Sequence, residues 1–148
     1  MMSAEANKGL IHRFVAEVLN SRNLGVLDEL VAPGFENHAA PPQSRHGIDS
    51  WKRVLGVVHA IGPEQYTIED MIAEGDKVAV RLIRSGTHER EMRTAIGVIP
   101  PRGKHFAIQN MHIFRLADGK IVEHWAIRDD LGLLQQLGAI HHTSHYSS

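Results

Sequence analysis

The stretch HFAIQNMHIFRLADGKIVEHWAIRDDLGLLQQLG, residues 105–138, decides the fold. Apolar and polar residues alternate on both sides of Asp118-Gly119, a dipeptide typical of a two-residue hairpin turn. After the second alternating run comes LGLLQQL, a short helical pattern that ends at Gly138. The stretch therefore predicts a β-hairpin leading directly into a helix, with Asp129 or Asp130 as the N-cap.

A two-residue turn also predicts which side chains share a face of this hairpin. Phe114 then pairs with Glu123, His112 with Trp125, and Asn110 with Ile127, and paired residues point the same way. One face is predicted to hold mostly apolar residues with a few polar ones: Ile108, Asn110, His112, Phe114, Ile121, Glu123, Trp125, Ile127 and Asp129. An apolar surface with a few convergent polar groups is typical of a ligand pocket.

The rest of the chain predicts three helices followed by further strands. Apolar residues recur at helical spacing over 10–19, again over 24–31, and in a third segment that includes Trp51 and ends near Gly62. The proline-containing segment FENHAAPPQSRHG (35–47) predicts a loop. YTIEDMIA and KVAVRLIRSGTH flank the turn EGD and predict a hairpin in which Glu69 faces Arg81, as a surface ion pair or as a pocket pair.

Helices first and antiparallel strands afterwards are typical of an α+β fold, with a curved antiparallel sheet packed against the helices. The length of 148 residues predicts one domain, which we assign to residues 1–140, with a mobile tail at 141–148.

Composition excludes several classes of function. The chain has 16 Lys and Arg against 17 Asp and Glu, so it lacks the basic surface of a nucleic-acid-binding protein. It has no cysteine, no apolar signal-peptide core and no apolar run of membrane-spanning length, which favours a soluble cytoplasmic protein. Its 11 histidines show no zinc-ligand spacing, and we expect no metal.

Five short motifs in order resemble the SnoaL-like polyketide cyclase (ester cyclase) family of the NTF2-like superfamily. These are ENH at 36–38, IAEGDKVAVR at 72–81, GTH at 86–88, PPRGK at 100–104 and DGKIVEHWAIRDDLGLLQQLG at 118–138. The resemblance implies a cone-like α+β fold with a deep pocket, and intramolecular aldol condensation without a metal or organic cofactor. It also implies a homodimer formed through the outer sheet face, where the predicted pairing puts the apolar residues Met111, Ile113, Val122 and Ala126.

The resemblance further implies that Asp129, four residues after Trp125, is the acid–base residue, with His112 beside it. If Asp130 caps the helix instead, Asp129 is free to face the pocket, where burial would raise its pKa towards neutrality. His112 and Asn110 could then stabilise the enolate oxygen. The remaining candidates for substrate binding are His38, Trp125, Arg81, Trp51 and Phe114.

The predicted function is acid–base catalysis on a small, largely apolar carbonyl or ester substrate. Three alternatives remain open: isomerisation, dehydration or hydrolysis in the same pocket. A fourth is a protein that binds a small apolar ligand without changing it.

Overall fold

The computed structural model describes residues 2–94 and 96–140. Within these ranges the chain forms four α-helices and seven β-strands: α1 (Ala4–Arg13), α2 (Leu27–Leu30), β1 (Val31–Asn37), α3 (Ile48–His59), β2 (Glu64–Glu74), β3 (Lys77–Thr87), β4 (Met92–Thr94), β5 (Gly97–Ile99), β6 (His105–Ala117), β7 (Lys120–Arg128) and α4 (Asp130–Gln136). A π-helical segment, Phe14–Asn20, continues α1. The predicted α+β class is confirmed, and the segment predicted as a mobile tail (141–148) lies outside the described residues.

Five strands form one curved sheet in the order β1-β7-β6-β3-β2, and β4 pairs with β5 in a separate small sheet. The large sheet is mixed, because β1 runs parallel to β7 while the other pairs are antiparallel. The curved sheet was predicted as antiparallel, and the parallel β1–β7 pair corrects that prediction in this one place. The loop predicted from Phe35 begins only after β1 ends at Asn37. Pro33 is compatible with β1 because β1 is an edge strand, where one row of backbone N–H groups needs no ladder partner.

The helices cover one face of this sheet, called here the inner face. The helix α1 packs on β2 and β3, α3 packs on β1, and α4 packs on β6. Trp51 of α3 lies between Phe14 and Phe35, with ring centroids 5.0 and 4.3 Å away. This aromatic stack is part of a core of buried apolar residues from the helices and the inner face, which excludes water from the centre of the sheet.

The β2–β3 hairpin turns more tightly than predicted. Glu74 pairs with Lys77, so the turn has two residues, and Gly75 supplies the positive φ of 60° that such a turn needs. An irregularity between Ile68 and Asp70 then leaves Asp70, and not Glu69, opposite Arg81. The predicted Glu69–Arg81 pair was therefore wrong.

The β6–β7 hairpin has the predicted turn but not the predicted faces. Ala117 pairs with Lys120 and Leu116 with Ile121, and both Asp118 and Gly119 have positive φ, as expected of a type I′ turn. The register then shifts by one residue, because Arg115 pairs with Glu123 and Val122 is left as a bulge. Beyond the bulge, the predicted partners are each replaced by the next residue along β7: Phe114 pairs with His124, His112 with Ala126, and Asn110 with Arg128.

This bulge exchanges the two faces of β7, because strand residues alternate in direction. His124 and Ala126 take the inner face, while Trp125 and Ile127 take the outer face. The predicted set of pocket residues was therefore right for β6 and wrong for the part of β7 beyond Val122.

The outer face exposes large apolar side chains on neighbouring strands. Ile72, Met111, Ile113 and Ile127 are 70, 56, 43 and 80% exposed. Ala126, which was predicted to belong to this face, lies on the inner one. Homodimer formation through the outer face stays a prediction. Among the residues described, no helix has the length and apolar character needed to cross a bilayer.

Candidate active site

A cavity of about 60 Å³ lies between the helices and the inner face of the sheet. Its helical side is mainly apolar and includes Phe14, Trp51 and Leu55. Its sheet side includes most of the polar residues of the inner face: Asn37, Arg84, Asn110, His112, His124 and Arg128. Polar groups held against an apolar wall in this way are typical of a small-molecule site.

A chain of hydrogen bonds, called here the histidine relay, links Asn37, His124 and His112. The backbone N–H of Ala39 donates to Oδ1 of Asn37 at 3.1 Å, which fixes the orientation of that amide. The same oxygen lies 2.8 Å from Nδ1 of His124, and Nε2 of His124 lies 2.8 Å from Nδ1 of His112.

The relay fixes the tautomer of both imidazoles. An amide oxygen only accepts hydrogen bonds, so Nδ1 of His124 must carry the proton that it donates to Asn37. In neutral His124 the other nitrogen, Nε2, then accepts from Nδ1–H of His112. Neutral His112 is thereby left with a lone pair on its own Nε2, an atom that is buried and has no hydrogen-bond partner among residues 2–94 and 96–140.

Both histidines are held in the neutral form. Burial, and then the positive charge of Arg128, lower the pKa of His112 from 6.5 to about 4. Burial likewise lowers the pKa of His124 well below 6.5. Near neutral pH the unprotonated Nε2 of His112 is therefore present without any need to remove a proton first.

A second polar group, called here the arginine cluster, lies at the other end of the inner face. Nη2 of Arg84 donates to Oε1 of Glu64 at 2.5 Å, and the hydroxyl of Tyr66 donates to Oε2 of Glu64 at 3.2 Å. The side chains of Arg84 and Glu64 are only 7 and 1% exposed. Burial alone lowers the pKa of Arg84, but the contacts with Tyr66 and Glu64 outweigh burial and hold it above its ordinary value. Burial raises the pKa of Tyr66.

Three polar atoms on cavity-lining residues are buried without a partner in the described structure: Nε of Arg84, Oδ1 of Asn110 and Nε2 of His112. Buried polar groups are nearly always hydrogen-bonded, because leaving one unpaired costs about 1–3 kcal/mol. Three such atoms around one cavity indicate a place where a ligand supplies the missing partners.

Asp129 lies away from this cavity. It is exposed, and its side chain accepts a hydrogen bond from the backbone N–H of Gly132 at 2.9 Å, as an N-cap does. The prediction that Asp130 caps the helix and frees Asp129 was wrong, because Asp130 is already the first residue of α4. The register shift at Val122 contributes to this outcome, because the predicted inner-face positions of β7 lie one residue away from the observed ones.

Three other predicted site residues also lie outside the cavity. Trp125 is on the outer face, where His38 stacks on its ring at 4.9 Å and also bonds Glu123 at 2.8 Å. Arg81, on the outer face of β3, pairs with Asp70 and with Gln109. Of the remaining predictions, Trp51, Asn110 and His112 line the cavity, and Phe114 is buried beside His112 and His124.

The matched family model is described as SnoaL-like polyketide cyclase and covers residues 9–137. The chain belongs to the SnoaL-like polyketide cyclase family. Nogalonic acid methyl ester cyclase of Streptomyces nogalater is 28% identical over 127 residues, 84% of this chain and 92% of that protein.

Solved structures agree with this assignment. TsrD from Streptomyces laurentii superposes with a TM-score of 0.84 at 26% identity, covering 95% of this chain and all of TsrD. IdmH from Streptomyces antibioticus is 32% identical with a TM-score of 0.76, covering 89% of this chain and 98% of IdmH. The predicted SnoaL-like family and fold are confirmed.

Sequence reasoning missed several cavity residues of this SnoaL-like chain. Asn37 belongs to the motif ENH, in which only the neighbouring His38 was predicted to bind substrate. Arg84 could have been found, because it continues the alternation of Val78, Val80 and Leu82, the buried face of β3. His124 could not, because only the bulge at Val122 turns it inward.

The histidines and carboxylates of this SnoaL-like chain are spread over the fold. Within residues 2–94 and 96–140, no three His, Asp or Glu side chains are grouped closely enough to hold a metal ion. His141, His142 and His145 lie outside the described residues.

Proposed function

We propose that this chain is an acid–base enzyme that removes a proton alpha to a carbonyl group of a small, largely apolar ester or ketone. His112 is the base. The observation that carries the proposal is the buried, unpartnered Nε2 of His112, whose tautomer is set by His124 and Asn37. Membership of the SnoaL-like family supports cyclisation as the overall reaction.

The chemistry follows from this arrangement. Nε2 of His112 takes the alpha proton, and the resulting enolate carbon attacks a second carbonyl of the same molecule to form a carbon–carbon bond. The alkoxide that results takes the proton back from His112, so the aldol step conserves all atoms. The low pKa of His112 is compatible with this role, because a negative enolate beside the imidazole raises that pKa.

The relay supports both stages of this cycle. As His112 becomes positively charged, its Nδ1–H bond to His124 strengthens, because hydrogen bonds to charged groups are about twice as strong as neutral ones. His124 is in turn held by Asn37, so the imidazole of His112 keeps its orientation throughout. The apolar wall with Trp51 and Phe14 excludes water from the enolate.

The test is hydrogen–deuterium exchange at the alpha carbon of methyl acetoacetate in D₂O. This probe has an enolisable alpha carbon. It is a methyl ester, as is the compound in the name of the relative from Streptomyces nogalater. His112→Gln replaces the imidazole by an amide, which does not act as a base near neutral pH, so exchange above the buffer rate should fall about 100-fold or more.

Asp129→Asn is the matched control for this experiment. Asparagine is as good an N-cap as aspartate, so the variant should fold normally and retain the wild-type exchange rate. Loss of exchange in Asp129→Asn with retention in His112→Gln would assign the base to Asp129. Absence of exchange above the buffer rate in the wild-type protein would refute the proposal.

A further inference from the structure

The polar residues of the inner face form a band across the whole five-stranded sheet. At one end lies the arginine cluster, on β2 and β3, and at the other the histidine relay, on β1, β6 and β7. Each contributes one buried atom without a partner among the described residues, Nε of Arg84 and Nε2 of His112, and Oδ1 of Asn110 is a third. Arg84 pairs with Ile108 across the strands, so Asn110 and then His112 follow it at alternate positions on the same face.

The guanidinium of Arg84 is rigidly placed. One of its terminal nitrogens is bound to Glu64, and its plane lies over Phe106, with 5.3 Å between the guanidinium carbon and the ring centroid. Its Nε–H is buried and has no acceptor. A charged donor that is already desolvated and held in place needs no reorganisation when negative charge appears beside it.

Glu64 binds only one side of the guanidinium of Arg84. It accepts from Nη2 of Arg84 and from the hydroxyl of Tyr66, and not from Nε of Arg84. Arg128, the other arginine of the cavity, is 41% exposed in its side chain and lies 3.8 Å from Asp130. Arg84 is therefore the buried positive donor in the described part of the cavity, and electrostatic interactions are strongest where water is excluded.

We propose that Nε–H of Arg84 binds the carbonyl oxygen of the substrate and stabilises the negative charge that develops there. Glu64 and Tyr66 are positioning residues for this donor. The inference rests on the proposed function, because the charge arises as His112 removes the alpha proton. It also defines the preferred ligand: an oxygen that is anionic or becomes so, such as an enolate.

The test is binding of acetylacetone, a small diketone whose enolate is detected by its ultraviolet absorbance. The wild-type protein should bind the enolate at least tenfold more tightly than the neutral form, which lowers the apparent pKa of the bound probe by at least one unit. Arg84→Lys keeps a positive charge for Glu64 but has no Nε–H, so this preference should fall about tenfold.

A double variant controls for misfolding caused by an unpaired buried charge. Arg84→Met alone leaves Glu64 as an unpaired buried charge, whereas Arg84→Met combined with Glu64→Gln removes both charges at similar volume. The double variant should lose the enolate preference completely. Arg81→Lys, an arginine on the outer face of the same strand, should bind as the wild type does.

The outcomes separate this inference from the proposed function. His112→Gln should lose exchange of methyl acetoacetate yet keep its preference for the acetylacetone enolate, because Arg84 is intact. If the wild-type protein does not bind the enolate preferentially, or if both Arg84 variants bind it as the wild type does, the role assigned to Arg84 is refuted. That result would not bear on the role of His112, which the exchange experiment tests separately.

Discussion

His112 lies where a neutral imidazole is favoured over a charged one. Burial and the nearby charge of Arg128 both oppose protonation of His112. The hydrogen bond to His124 needs no added proton, because neutral His112 donates its own Nδ1–H. The residue is therefore held in the form that accepts a proton, with one defined nitrogen available. That combination distinguishes it from the exposed histidines, such as His12 on α1.

The depressed pKa of His112 predicts how stability depends on pH. Above pH 6.5 the ring is neutral in both the folded and the unfolded chain, so it contributes no pH dependence. Between pH 6.5 and about 4 the unfolded chain binds the proton first, so the free energy of unfolding falls by on the order of 3 kcal/mol from this residue. Urea unfolding at several pH values measures this loss.

His112→Gln should make the acid side of that stability profile shallower. His124, whose pKa is lowered in the same direction, should account for part of the slope that remains. The same replacement at exposed His12 is the control for loss of a histidine outside the cavity. An identical profile for wild type and His112→Gln would contradict the low pKa of His112.

Single residues were predictable where alternation alone decides their direction. His112, Asn110 and Phe114 were assigned to the inner face from the period of β6, and they lie there. Trp125 and Ala126 were assigned to the wrong faces, because the direction of each side chain depends on one extra residue at Val122. Asp129 was assigned wrongly to the pocket, because two adjacent aspartates offer the same capping chemistry and the sequence does not choose between them.

At the scale of elements, the β6–β7 hairpin and α4 are joined by one cap. Asp129 accepts the N–H of Gly132, while Asp130 lies within the first turn of α4, near its positive end, and 3.8 Å from Arg128. Asp129→Ala should therefore lower the free energy of unfolding by about 1 kcal/mol, the usual cost of losing an N-cap. Asp130→Ala should cost only a few tenths.

Urea unfolding of the two alanine variants, alongside Asp129→Asn, measures this difference. Asparagine should restore most of the lost stability, because it also accepts a hydrogen bond at the N-cap position. A larger loss in Asp130→Ala than in Asp129→Ala would assign the cap to Asp130.

The turn of the β6–β7 hairpin was foreseeable from the sequence, but the bulges were not. A type I′ turn requires positive φ at both of its central residues, and Asp118-Gly119 is one of the few dipeptides that adopt it readily. On each side of a bulge, apolar and polar residues still alternate along the strand. The bulge only moves the residues that follow it to the opposite face of the sheet. The strand β1 was missed for a related reason: Pro33 argues against a central strand, and only the sheet order shows that β1 lies at an edge.

At the scale of the whole molecule, the fold follows from a change of period along the chain. Helical spacing in the first 60 residues and strand alternation afterwards are enough to separate the helical layer from the sheet. The site is less predictable, because it is formed by residues from all five strands of the large sheet, from α3 and from the π-helical segment. Its polar band depends on the registers of four strand pairs, and one irregularity changes its membership.

The size of the cavity bears on the substrate. A volume of about 60 Å³ is well below the 300–1,000 Å³ typical of sites for drug-sized ligands. Small enolisable esters are therefore the appropriate first probes, and a larger substrate requires the helical wall around Trp51 and Leu55 to move away from the sheet.

In the proposed mechanism the histidine relay presents an unprotonated Nε2 of His112 to the cavity. ¹⁵N NMR of the imidazole rings at pH 7 measures this protonation state, with the His112→Gln protein used to assign the signals. Both His112 and His124 should be neutral, with the proton on Nδ1 and an unprotonated Nε2. A proton on Nε2 of His112, or a positively charged ring at that pH, would contradict the account.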